Sequence, residues 1–291
     1  MTGIDTHAFA AQAAEKLLHD MALVTLPIDP FEIARRKGID VVAKPAHDAG
    51  VSGMLIRVGN NFAIAYATHI DSVPFQRFCV GHELGHYFLP GHPEAVLGAS
   101  GVHESRAGFR SGDRYEIQAD RFAAGLLMPR KLFVAAADKS GTGLAAIEAL
   151  ATLCQTSLHA TAIRYTQCTS DPMAIVVSEG NTIDHCFMSD ELKALDSIDW
   201  VRKRERVPKN TVTYGFNADP SNVQRAARAD GSSNLQDWFG GRYNIEVCED
   251  VIGLGSYGKT LTVLYDMELP DDEEREDEDS LTDSWTPRFR R

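Results

Sequence analysis

The pentapeptide His82-Glu83-Leu84-Gly85-His86 constrains this chain more than any other feature. Residues four apart on a helix share a face, so an H-E-x-x-H stretch can present both imidazoles to one metal ion when it is helical. Glu83 sits one position round from the first histidine. It is poorly placed to ligate, but it can reach a water at the metal and take its proton. The pattern points to a metal-dependent hydrolase with Glu83 as its catalytic base.

The flanks support a helix. Pro74 suits a first turn, and Phe75, Phe78, Cys79, His82, His86 and Leu89 recur at spacings of three and four as one stripe. The histidines therefore continue an apolar face. Gly81 and Gly85 leave room for a second backbone, and Pro90-Gly91 ends the element.

A catalytic zinc usually takes three protein ligands and one water. Glu116 is the best third ligand. It lies on a second helix over 113–128, with Ala119, Phe122, Ala123, Leu126 and Leu127 as its apolar stripe and Pro129 as its stop. Asp120 follows by one turn and can reach the free ring nitrogen of a ligating histidine. His92, His103 and Glu104 are alternatives. They fall in residues 91–112, which read as a loop rich in Gly, Ser, His and Arg. The spacing to His92 misses the metzincin pattern. Zn²⁺ is the expected cofactor, with Mn²⁺ able to serve in its place. Tyr87, His103 and Tyr115 each offer a donor to a tetrahedral oxyanion, and spacing does not choose among them.

Asp29-Pro30-Phe31-Glu32 reads as a capped helix start, with Glu32 completing a capping box. A short strand at Ile39–Val42 follows, then strands at 50–57 and 61–67 joined by Gly59-Asn60. An edge strand beside the metal helix could pair with an extended substrate, and the 61–67 strand belongs to the sheet expected there. Helices at 143–153 and 157–167 come next. From 172 the texture changes. Segments such as MAIVV, TVTYGF, NIEVCED and LTVLYD read as strands, with helical pieces at 189–195 and 221–229.

No stretch approaches 18 uninterrupted apolar residues, and residues 6–21 form an alanine-rich amphipathic pattern rather than a secretory signal. Five cysteines without a C-x-x-C pair read as reduced thiols, so a cytoplasmic protein without membrane contact is expected. The net charge of −12 argues against coating nucleic acid through global charge. Much of it lies in DDEEREDED at 271–279, which reads as a solvated tail. The second helix of the 143–167 pair offers only His159 and Arg164 to DNA, fewer than a recognition helix needs. The cluster Arg202-Lys203-Arg204-Glu205-Arg206 reads as a solvated loop.

RFCVGHELGHYFL at 77–89, followed by EIQADRFAAGLLMP at 116–129, resembles the ImmA/IrrE family of metallopeptidases, the DUF955 group. The likeness is specific over 77–130 and weaker over 29–167. It implies a gluzincin-like fold, zinc held by His82, His86 and Glu116, and Glu83 as general base. Asp120 stands where many relatives have Asn, which keeps its hydrogen-bonding role. Known relatives cut helix-turn-helix repressors and so switch on mobile-element or DNA-damage genes. The IrrE branch adds a helix-turn-helix-like middle and a GAF-like C-terminal domain. The expected architecture is therefore α+β: a peptidase domain at 1–134, a helix-turn-helix-like segment at 135–169, a smaller α+β recognition or sensor domain at 172–268, and a disordered acidic tail at 269–291. The expected partner is a helix-turn-helix repressor as substrate. The rival classes are a binding protein with a structural metal site and a direct DNA-binding regulator.

Overall fold

The computed structural model describes residues 6–44, 50–106, 112–196 and 198–269. The tail from residue 270 lies outside the described residues. The chain divides into two units, the first ending at Thr169 and the second beginning at Ser170. Both mix α and β elements, as the sequence implies.

The first unit runs α1 (Thr6–Asp20), α2 (Pro30–Arg36), β1 (Asp40–Lys44), β2 (Gly53–Val58), β3 (Asn61–Ala67), α3 (Val73–Phe88), α4 (His92–Val96), β4 (Val102–Ser105), α5 (Arg114–Leu127), α6 (Arg130–Ala137), α7 (Gly143–Cys154) and α8 (Leu158–Cys168). Its sheet has the order β1-β3-β2-β4. β1 is parallel to β3, and the other two pairings are antiparallel. The 61–67 strand is therefore internal, and β4 forms an edge. Residues 91–112 are not simply a loop. Their described part holds α4 and β4, and β4 is stitched to β2 by backbone pairing from Gly53↔Ser105 to Ile56↔Val102.

α2 starts at Asp29, whose side chain accepts from the Phe31 backbone N–H. Glu32 does not close a capping box. It pairs instead with Arg35 and Arg36 on its own helix.

α3 is the central element. Ser72 caps it, and every residue from Cys79 to His86 is buried, so this stretch has no wet face. Sequence spacing implies one stripe. The structure surrounds the helix because different neighbours take different sides. Val80 and Leu84 join Leu55, Ile64 and Phe122 in the core. Gly81 and Gly85 face α5. A Cβ on Gly85 would lie 3.0 Å from the Ala119 Cα, so the backbones meet only because residue 85 is glycine. α1 packs on the far side of α5 through Ala10, Ala14 and Leu18, spaced by four. Its Ala11 approaches Gly125 so closely that a Cβ there would lie 2.9 Å from the Ala11 Cα.

The second unit is a five-stranded antiparallel sheet of β5 (Ala174–Glu179), β6 (Thr182–Met188), β7 (Arg228–Asn234), β8 (Glu246–Gly253) and β9 (Thr260–Tyr265), in the order β6-β5-β9-β8-β7. Short helices α9 (Asp190–Lys193), α10 (Val212–Asn217), α11 (Pro220–Gln224) and α12 (Leu235–Phe239) complete it. TVTYGF, which alternates like a strand, is mostly α10. Thr211 caps it, and Thr213, Phe216 and Asn217 are buried at helical spacing. Thr213 is anchored through its N–H and hydroxyl to the buried Glu249 carboxylate, 2.6 Å in each case. The helical reading of 221–229 holds only to Gln224. The chain then turns at Ala226 (φ 51°) and enters β7, a polar edge strand with no apolar alternation to announce it.

Candidate metal centre

α3 and α5 are held at close range by Gly81 and Gly85, which brings Glu116 opposite the two histidines. The His82 and His86 Nε2 atoms lie 3.0 Å apart. Glu116 places Oε2 3.3 Å from His82 Nε2 and Oε1 3.4 Å from His86 Nε2. One ligand atom from each residue lies within 4.8 Å of the others.

The outer nitrogens of the rings decide what the inner ones can do. His82 Nδ1 lies 2.8 Å from Asp120 Oδ1. A carboxylate only accepts, so Nδ1 carries a proton, and in the neutral ring that ligation requires Nε2 keeps its lone pair. Two imidazole lone pairs and a carboxylate then face one point. Such an arrangement is favourable only around positive charge, either a proton or a metal ion. Two nitrogens and one oxygen converge as a donor set that could hold a divalent metal ion, so the residues fit a metal centre.

Protonation follows the same logic. Burial alone would lower His82, but its bonds to Asp120 and Glu116 and the nearby Glu83 outweigh that and push it up to about 10. Burial lowers His86 to about 4. Burial would raise Glu116, yet His103, His82 and His86 hold it well below the usual carboxylate range. Glu83 is fully buried, and neither carboxylate oxygen has a hydrogen-bond partner. Burial pushes its pKa up, and His82, the Ser105 hydroxyl and His103 offset this only in part.

The alternative ligands go elsewhere. His92, the first residue of α4, is buried. Its Nδ1 faces His86 Nδ1 at 3.2 Å and its Nε2 faces Gln118 Oε1 at 2.9 Å, so neither atom points into the cluster. Glu104 is exposed. His103, on β4, lies closest. Its Nε2 is 3.0 Å from Glu116 Oε1, though bent away from hydrogen-bond alignment. Of the three oxyanion candidates only His103 reaches the cluster. Tyr87 packs edge-on to Phe62, and the Tyr115 hydroxyl accepts from Arg114. Sequence reasoning missed Gln118, which lies inside the EIQADRFAAGLLMP stretch at a position given no role there. The candidate DNA contact Arg164 is engaged internally. Its Nε donates to the Met128 carbonyl at 2.9 Å, and Nη2 lies 3.6 Å from Glu15.

Residues 34–166 match the peptidase family described as the IrrE N-terminal-like domain. The first unit carries this domain. The resemblance carried by residues 77–89 and 116–129 is thus borne out, and His82, His86, Glu116 and Asp120 all fall inside the matched segment. A solved Mycobacterium tuberculosis transcriptional regulator is similar in fold, with a TM-score of 0.56 over 89% of this chain and 76% of that chain at 15% identity. No curated protein matches the chain. Among the described residues, no helix is long and apolar enough to cross a membrane.

Proposed function

We propose that the chain is a cytoplasmic metallo-endopeptidase that cuts a helix-turn-helix transcriptional repressor, derepressing genes of a mobile element or of a stress or DNA-damage response. The observation that carries this reading is the convergence of His82, His86 and Glu116 next to a buried, unpartnered Glu83. A purely structural metal site has no use for a base in that position. His82, His86 and Glu116 would hold Zn²⁺, or Mn²⁺ in its place. When bound, the ion supplies a Lewis acid that makes water a nucleophile at neutral pH. Glu83 accepts the proton of the attacking water on a carboxylate oxygen and passes it to the leaving amine nitrogen. The burial that raises Glu83 suits a group that must hold a proton and then release it. Asp120 keeps His82 in the tautomer that ligation requires. His103 is the nearest donor for the developing oxyanion.

The outer side of β4 has no strand partner among the described residues, and His103 lies on this strand. An extended substrate segment can add there by backbone pairing. Residues 172–268 form the recognition or sensor domain in this reading, GAF-like in layout.

The test is to incubate the purified protein and Zn²⁺ with any helix-turn-helix repressor that a neighbouring gene encodes. Discrete fragments by mass spectrometry, abolished by a chelator, are expected. A repressor that stays intact favours a non-proteolytic binding protein.

A further inference from the structure

His82 and His86 both offer Nε2 to the same point, yet only His82 has a carboxylate behind it. His86 is fully buried, and its outer nitrogen meets another imidazole, that of His92. Two facing ring nitrogens can bond in only one way at a time: one donates and the other accepts. The far side of His92 decides which. Its Nε2 lies 2.9 Å from Gln118 Oε1, an amide oxygen that only accepts, so Nε2 carries the His92 proton. A neutral imidazole has one N–H, which leaves His92 Nδ1 as an acceptor. His86 Nδ1 must then be the donor, and the lone pair of His86 is fixed on Nε2. The chain of bonds runs from His86 Nδ1–H to His92 Nδ1, and from His92 Nε2–H to Gln118 Oε1. Gln118 sits on α5 between Glu116 and Asp120. One helix therefore supplies the third ligand and the final acceptor behind each histidine.

We propose that His92 and Gln118 are positioning residues. They form a neutral relay that locks His86 in the Nδ1–H tautomer and aims its Nε2 at the metal, as Asp120 does for His82. This rests on the metal-site reading above, but its first consequence does not need the metal. The relay is neutral where Asp120 is charged, so it orients His86 without adding a further carboxylate to a site that already holds Glu83, Glu116 and Asp120.

Two measurements on the full-length chain separate the claims. Long-range ¹H–¹⁵N correlation spectra of the metal-free protein report which ring nitrogen bears the proton. We expect the Nδ1–H form at His86 in the wild type, a mixture in His92→Phe and in Gln118→Leu, and recovery in His92→Gln, whose amide oxygen can accept in place of Nδ1. Competition with a chromophoric chelator then reads Zn²⁺ affinity. His92→Phe should weaken it by roughly 10–100-fold, as loss of such an outer partner does, with His92→Gln closer to wild type. The Co²⁺ absorption spectrum should shift in the same order. Because His92 is buried, Gln118→Leu, at a half-buried position, carries the test if His92→Phe does not fold. An Nε2–H form at His86 in the wild type overturns the relay. So do unchanged affinity and Co²⁺ spectra in both His92→Phe and Gln118→Leu. A locked tautomer in a wild type that binds no metal supports the relay and overturns the metal site instead.

Discussion

Gly53 on β2 sits against the carboxylate of Glu83: a Cβ at residue 53 would lie 2.4 Å from Oε1. The contact ties the sheet to the base through a missing side chain. Gly53→Ala should displace the Glu83 carboxylate while leaving His82, His86 and Glu116 in place. The clash meets the end of a side chain rather than backbone, so the stability cost should stay within the ~1–3 kcal/mol of ordinary overpacking. We expect near-normal Zn²⁺ content with strongly reduced cleavage. Metal analysis and a cleavage assay on the same preparation check this, and wild-type cleavage by Gly53→Ala would remove the constraint.

Gly85 should behave differently. A side chain there meets the Ala119 backbone on α5, the helix that carries Glu116. Gly85→Val has to push the two helices apart. It should lower the melting temperature and weaken Zn²⁺ binding together, as thermal unfolding and metal titration would show. Loss of stability with unaltered affinity would mean that the helix spacing does not set the ligand geometry.

Metal uptake should release a proton. His82, pushed up to about 10, is protonated at pH 7 in the metal-free chain, while His86, lowered to about 4, is not. Ligation requires the neutral form, so apparent affinity should fall as pH drops below about 10, with His82 as the competing site. Calorimetry in buffers of different ionisation enthalpy should report close to one proton released per Zn²⁺ at pH 7. No proton release would show that His82 is already neutral.

The second unit has its own pH dependence. Asp184 on β6 pairs with Lys259 and, at 3.0 Å, with Lys203. These lysines hold its carboxyl well below the usual carboxylate range. A depressed folded pKa gives stability that is present above the unfolded value of ~3.9 and lost as pH falls toward the folded one. Asp184→Asn should therefore lower the melting temperature of this unit at pH 7 and converge with wild type in strong acid. Equal melting temperatures at pH 7 would assign the cluster no net stabilising role.

Much of the metal centre was legible because its information is local. His82 and His86, like Glu116 and Asp120, are i, i+4 pairs, and helical spacing alone brings each pair to one face. What was not legible depends on the return of the chain. His92 reaches His86 because the chain turns at Pro90-Gly91 and re-enters a helix at once, so a residue that read as loop becomes part of the interior. β4 has the sequence VHES, without apolar alternation, and forms because β2 offers it a backbone edge. β7 is hidden for the same reason. α10 misleads in the opposite direction: its β-branched and aromatic residues suit a strand, but the Thr211 cap and the grip of Glu249 on Thr213 hold it helical. Tertiary partners outweigh weak local preference in each case.

Substituting Glu83 by Gln tests the central claim most directly, because Gln keeps the shape of the side chain and removes its capacity to take a proton. Wild type and Glu83→Gln, each loaded with Zn²⁺, would be compared for metal content and for the rate of repressor cleavage. The account predicts equal metal content and a loss of cleavage of about 10²–10⁴-fold. Cleavage by Glu83→Gln at the wild-type rate would contradict it.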